Sequence, residues 1–139
     1  MVAKQAGYSG KSVIEKLGIK DNMSLYFLNL PNGLNLEDWG KMPEPVKIAK
    51  SLVKELDFIH CFFTSLADYQ KSLPKLQSHL KPNGMIWVSW PKKTSKIVSD
   101  LDENKIRDFA LGLGLVDTKV CAIDPIWSGL KLVIRKSNR

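Results

Sequence analysis

Four polar residues in a row, Lys92-Lys93-Thr94-Ser95, follow the apolar stretch Met85 to Trp90, with only Pro91 between them. Two ammonium groups beside two hydroxyls suit a phosphate or a carboxylate, because the lysines bring charge and the hydroxyls bring uncharged donors. Trp90, the last residue of the apolar stretch, could wall one side of such a site. Farther along, Trp127-Ser128 stands in a polar connection, where an indole can stack on a ligand or partner. Trp90, Lys92, Lys93, Thr94, Ser95, Trp127 and Ser128 are therefore the candidate ligand-binding residues. Each also has a plainer reading, the lysines as a solvated loop and Trp127 as a cap on the core beneath it.

Other reactive residues offer less. Gly10-Lys11-Ser12 matches the tail of a phosphate loop, but Gln5 stands where its first glycine belongs, and a capped amphipathic helix explains the same residues. His60 alternates with Phe58 and Phe62, which predicts a satisfied core histidine rather than a base. His79 closes a helix, where a cationic ring favours the dipole, and Asp100, Glu103 and Asn104 fit capping roles. There is no G-x-S-x-G elbow. Cys61 and Cys121 lie in apolar runs without C-x-x-C spacing, so both are expected as buried free thiols. No catalytic residue, metal or cofactor is expected.

The elements that must carry these residues follow from patterning. Ser9 to Leu17 reads as a helix capped by Ser9 and ended by Gly18. Ser24 to Leu30 and Phe58 to Phe63 are apolar on both faces, which predicts central buried strands, and Val46 to Ala49 a short one. Ser65 caps a helix carrying Leu66, Tyr69, Leu73 and Leu76, expected to break or kink at Pro74. Asn83-Gly84 reads as the turn into the strand Met85 to Trp90, which Pro91 ends. Asp102 caps a helix that runs to Gly114. Thr118 to Ile123 and Leu130 to Arg135 are strands joined by so short a connection that an antiparallel hairpin is predicted. Strand alternating with helix through the middle implies a three-layer α/β sandwich: a mostly parallel sheet of five or six strands, with helices on both faces.

At 139 residues the chain fits one domain, residues 1–139, with a hydrophobic fraction of 44% and a charged fraction of 25%. No apolar run approaches the roughly 18 residues of a membrane span and no signal segment is visible, so a cytoplasmic location is expected. The net charge of +7 raises nucleic acid as a partner, but the lysines are interleaved with acids and no nucleic-acid-binding signature accompanies them. An anionic small molecule or a protein partner is the stronger expectation, with the oligomeric state open.

Leu80-Lys81-Pro82-Asn83-Gly84 before an apolar strand resembles the L-K-P-G-G turn that leads into the fifth strand of class I methyltransferases. Leu56-Asp57-Phe58-Ile59 resembles the start of their fourth strand, and helix 103–113 with Gly114-Leu115 the helix before their final hairpin. The resemblance covers residues 56 to 136 and implies a Rossmann-like fold. The front half departs from it: Asn29-Leu30-Pro31-Asn32-Gly33 replaces a glycine-rich turn, and Val46 to Lys50 lacks the acid that would hold ribose hydroxyls. Only one further strand fits between the first strand and Asp57, where methyltransferases place two.

Over nearly its full length the chain is similar to the bacterial family of domain of unknown function 3052. The matching pieces are Tyr8-Ser9-Gly10-Lys11-Ser12, Lys16 to Lys20, Trp90 to Lys93, Gly114 to Asp117, Lys119 to Ala122 and Trp127 to Leu130. That resemblance implies no particular activity. The reading favours a non-catalytic Rossmann-like module that binds an anionic ligand or a protein partner. Its alternatives are a diverged S-adenosylmethionine-dependent methyltransferase and a nucleic-acid-binding module.

Overall fold

A computed structural model describes residues 10–139. Helix α1, Val13–Leu17, opens with a capping box: the Ser12 hydroxyl accepts from the Glu15 amide, and the Glu15 carboxylate accepts from the Ser12 amide. The expected cap at Ser9 lies outside the described residues. The remaining elements are β1 (Ser24–Leu28), β2 (Lys47–Ile48), β3 (Leu56–Phe62), α2 (Leu66–Ser78), β4 (Leu80–Pro91), α3 (Glu103–Gly112), β5 (Leu115–Ala122) and β6 (Trp127–Ile134). Single 3-10 turns cover Leu36–Trp39 and Lys136–Asn138.

One six-stranded sheet runs in the order β2-β1-β3-β4-β6-β5. The first four strands are mutually parallel, and β6 and β5 add an antiparallel hairpin beyond β4. This is the mostly parallel, six-stranded α/β sandwich that the patterning predicts. The strands that are apolar on both faces, β3 and β4, are central, as burial on both sides requires. On one face Ile59, Cys61, Ile86 and Val88 pack under α2 and α3 through Tyr69, Leu73, Leu76, Ile106 and Ala110. On the other, Phe58, Phe62 and Trp87 meet α1 through Ile14 and Leu17, together with Trp39, Ile123 and Trp127.

Two long-range hydrogen bonds secure the layers. The Tyr69 hydroxyl donates to the Ile106 carbonyl at 2.7 Å, and the Trp87 indole donates to the Leu17 carbonyl at 2.9 Å.

Two local expectations are corrected. Helix α2 runs through Pro74 instead of ending and restarting there. Pro74 and Gln70 are both exposed, so water can take the Gln70 carbonyl that proline cannot pair, while buried Leu73 and Leu76 hold the turns on either side. Asn83-Gly84 is not a turn into the strand, since β4 already begins at Leu80. Leu56 pairs with Leu80 and Phe58 with Met85, so five positions of β4 oppose two of β3 in an extended bulge. Gly84 is required there, because a Cβ would lie 2.8 Å from the Leu80 side chain and 3.1 Å from the Asp57 carbonyl. Asp57 anchors the bulge with one carboxylate oxygen 3.0 Å from Lys81 Nζ, and the other accepts from the Ser24 amide at 2.8 Å. Among the described residues no helix is long and apolar enough to cross a membrane.

Candidate functional site

The order of connection reverses between β1 and β3. From β1 the chain moves outward to β2, then returns to β3 on the other side of β1. Loops leaving neighbouring strands in opposite directions open a crevice beyond the carboxyl ends, here beyond Leu28 and Phe62. Asn29 stands in it with a left-handed backbone, φ 58°, and its side-chain amide donates across to the Phe62 carbonyl at 3.1 Å. Gly33, at φ 84°, completes the sharp departure of the chain from β1. Patterning ends the strand at Pro31 and misses Asn29. The only local sign was an asparagine, which tolerates left-handed geometry, directly after a strand.

The loop after β4 borders the same edge of the sheet. Its start is tied to the hairpin, the Lys92 amide donating to the Ile126 carbonyl at 2.7 Å. Its end is strapped over the β3–α2 junction, where the Ser99 hydroxyl donates to the Thr64 carbonyl at 2.7 Å. Asp100 accepts from the Leu66 amide at 2.7 Å, so it caps α2 rather than its neighbour α3. Asp102, as expected, caps α3.

Lys93 and Thr94 are exposed, and Lys92 is half-buried. The Ser95 hydroxyl donates to the Lys92 carbonyl at 2.7 Å, so it shapes the loop. Trp90 lies opposite Ser128 and packs on the α2–α3 face. Trp127 lies opposite Pro91 and is buried on the α1 face, edge-on to Phe62 at 5.3 Å. The fold thus gathers Lys92 to Ser95 with Trp90 and Ser128 at one corner, and sets Trp127 beneath them. Asp124 fixes that corner, one carboxylate oxygen accepting from the Ile126 and Trp127 amides, each at 2.8 Å.

His60 is fully buried beside the crevice, on the α1 face. Its ring stacks on Phe62 at 4.3 Å and on Trp39 at 5.3 Å, with Nε2 2.6 Å from the Ser89 hydroxyl. Among the described residues Nδ1 has no partner, so the core histidine is satisfied there at one nitrogen only. Burial pushes its pKa down to about 3, so the ring is neutral at ordinary pH. Among the described residues no group of His, Cys, Asp and Glu could hold a metal ion.

Both cysteines are free, Cys61 buried and Cys121 half-buried, so the expectation of two buried thiols holds for one. Burial raises both thiols, and at Cys121 the charges of Lys119 and Lys16 offset part of the rise. A thiol reagent should therefore label at most one thiol slowly in native protein, and none in Cys121→Ser until denaturant is added. Rapid native labelling of the Cys121→Ser variant would contradict the burial of Cys61.

No family model and no curated protein matches the chain, so membership of the domain of unknown function 3052 family is not supported. Solved structures do match it. A SAM dependent methyltransferase from Aquifex aeolicus is 16% identical with a TM-score of 0.63, over 88% of each chain. The ribosomal protein L11 methylase of Lactobacillus delbrueckii subsp. bulgaricus is 14% identical with a TM-score of 0.61, over 88% of this chain and 74% of that one. Aeropyrum pernix fibrillarin, solved with natively bound S-adenosyl-L-methionine, is 12% identical with a TM-score of 0.58, over 84% and 69%.

At these identities the shared property is the fold, and it is the Rossmann-like fold of S-adenosylmethionine-dependent methyltransferases. The expectation of a non-catalytic module is thereby overturned, because the scaffold is one that SAM dependent methyltransferases share over most of their length. A missing glycine-rich turn removes one local signature and leaves the strand order that makes the crevice intact.

Proposed function

We propose that this protein is a diverged S-adenosylmethionine-dependent methyltransferase with the methyl donor in the crevice beyond Leu28 and Phe62. The reversal of connection between β1 and β3 carries the reading, set in a fold shared over 88% of both chains with the Aquifex aeolicus enzyme. The donor, when bound, supplies an electrophilic methyl group, and the chain must bind it, exclude water and align an acceptor. Asn29 and Gly33, both at positive φ, turn the backbone sharply at the crevice floor. The fit is partial. No carboxylate follows β2, where Ala49-Lys50-Ser51 stands, so a ribose must be held in another way.

In this reading the corner beyond β4 serves the acceptor. Lys92 and Lys93 with Thr94 hold an anionic group, Trp90 and Ser128 wall it, and Ser95 and Trp127 brace the loop. Because Lys93 is exposed and Lys92 only half-buried, their positive charge acts without a large desolvation cost.

Thermal unfolding with S-adenosylmethionine and S-adenosylhomocysteine tests the donor site. A specific ligand at 100 times its Kd stabilises by about 2.7 kcal/mol, a shift of several degrees in a chain of this size. Saturable stabilisation is expected, and none at millimolar ligand would overturn the reading. Lys92→Ala with Lys93→Ala should weaken phosphate or acidic-ligand binding while leaving the donor-induced shift unchanged. Equal weakening by Lys47→Ala with Lys50→Ala would reduce the corner to diffuse surface charge.

A further inference from the structure

The hairpin holds a second reactive cluster, well away from the crevice in the strand order. Lys119 of β5 and Lys131 of β6 are directly opposite one another, so their side chains project from the same face of the sheet. On its other side Lys131 lies opposite Trp87, which is fully buried. Lys119 is exposed but tethered, its ammonium donating to the Lys16 carbonyl at the end of α1 at 3.1 Å. Cys121 lies on the same face, two residues from Lys119, opposite Gly129.

The charge that acts on Lys131 is the Lys119 ammonium of β5, itself bound to the Lys16 backbone carbonyl of α1. Asp117 of β5 accepts from Arg107 at 2.9 Å and is opposite Leu132, on the reverse face. The ion pairs among the described residues join Lys81 to Asp57 and Arg107 to Glu103 and Asp117, so none includes Lys131. Lys131 is half-buried and next to a like charge, and among the described residues it has no hydrogen-bond partner. Burial first, and then the Lys119 ammonium, lower its basicity. A lysine desolvated beside another cation is the arrangement that exposes a nucleophilic amine near neutral pH.

We propose that Lys131 is an acylation site for small acyl phosphates, with Lys119 holding the phosphate while the Lys131 amine attacks the acyl carbon. The Nζ lone pair forms a C–N bond to the carbonyl carbon. The bond from that carbon to the phosphate oxygen breaks, phosphate leaves with the electron pair, and the nitrogen loses a proton to water. The product is a neutral amide. It relieves both the repulsion from Lys119 and the cost of keeping a half-buried ammonium, so modification favours the folded chain.

The test is incubation of the full-length protein with acetyl phosphate at pH 7.5, with site-resolved mass spectrometry of every lysine over time. Lys131 should acetylate several-fold faster than exposed lysines such as Lys54 and Lys71, because its lowered basicity leaves more of the amine unprotonated at this pH and Lys119 holds the phosphate beside it. Lys119→Ala should erase most of that preference and Lys119→Arg should keep it, each variant being first shown to melt cooperatively. With an uncharged acetyl ester the Lys131 preference should persist but shrink, because the phosphate anchor is lost. Acetylation of Lys131 at the rate of Lys54 and Lys71, or a preference unchanged in Lys119→Ala, would overturn the assignment.

Discussion

Lowering the pH from 7 to 4.5 is expected to remove about 3 kcal/mol of stability through one side chain, His60. In the unfolded chain this imidazole titrates near its ordinary value of 6.5, whereas burial among Phe27, Trp39, Phe58 and Phe62 pushes its folded pKa down to about 3. Above pH 6.5 both states carry a neutral ring and the group has no linkage effect. Below it the unfolded chain gains a proton that the folded one refuses, so stability falls by about 1.4 kcal/mol per pH unit until the folded ring titrates.

Carboxylates titrate in part of the same window, so the measurement is a difference. Urea unfolding between pH 7 and 4.5 is compared for the wild type and His60→Phe with Ser89→Ala. The double substitution removes the ring and the hydroxyl that would be left without its partner 2.6 Å away. It should flatten the pH dependence by about that 3 kcal/mol, and at pH 7 it should be neutral or stabilising because the unpartnered Nδ1 is gone. Parallel pH profiles for the two proteins would show that the folded ring titrates normally.

Trp39→Ala is expected to cost about 3–5 kcal/mol. The residue stands in the 3-10 turn after β1, in a segment without a long helix, and yet it is only 3% exposed. Its indole stacks on His60 at 5.3 Å and meets Phe27 at 6.2 Å, so it covers the strands beside the crevice. Leu34, Leu36 and Met42 from the same segment pack against this cluster but are only partly buried, so Trp39 is the segment's main cover. Trp39→Phe should recover most of the loss by refilling the stack. Denaturant midpoints with unchanged m-values check both, and a loss below about 1 kcal/mol for Trp39→Ala would mean that the turn does not cover the sheet.

The elements were largely legible because their signals are local. Strands around 24–30, 58–63 and 85–90 announce themselves by being apolar on both alternating faces, which only a central position satisfies. Ser65 and Asp102 mark the α2 and α3 starts because a short polar side chain can satisfy the free amides of a first turn. Pro74 misleads because proline's cost depends on whether water can reach the orphaned carbonyl. Asn83-Gly84 misleads because a turn-forming pair also suits a bulge, and only the partner strand distinguishes them.

The sequence by itself determined the α/β class, the central strands, the terminal hairpin and the basic stretch that follows Pro91. Tertiary structure alone decided which polar groups meet: Asn29 and the Phe62 carbonyl, His60 and Ser89, Asp100 and the Leu66 amide, Lys119 and Lys131. The physical reason lies in the range of each effect. Periodicity reports whether a residue prefers the core or water, a property of its own side chain and near neighbours. Which residue stands opposite it depends on strand order and register, and those are set by the summed burial of whole faces. A slip of one residue in β6 would leave its composition unchanged and send Lys131 to the other face of the sheet.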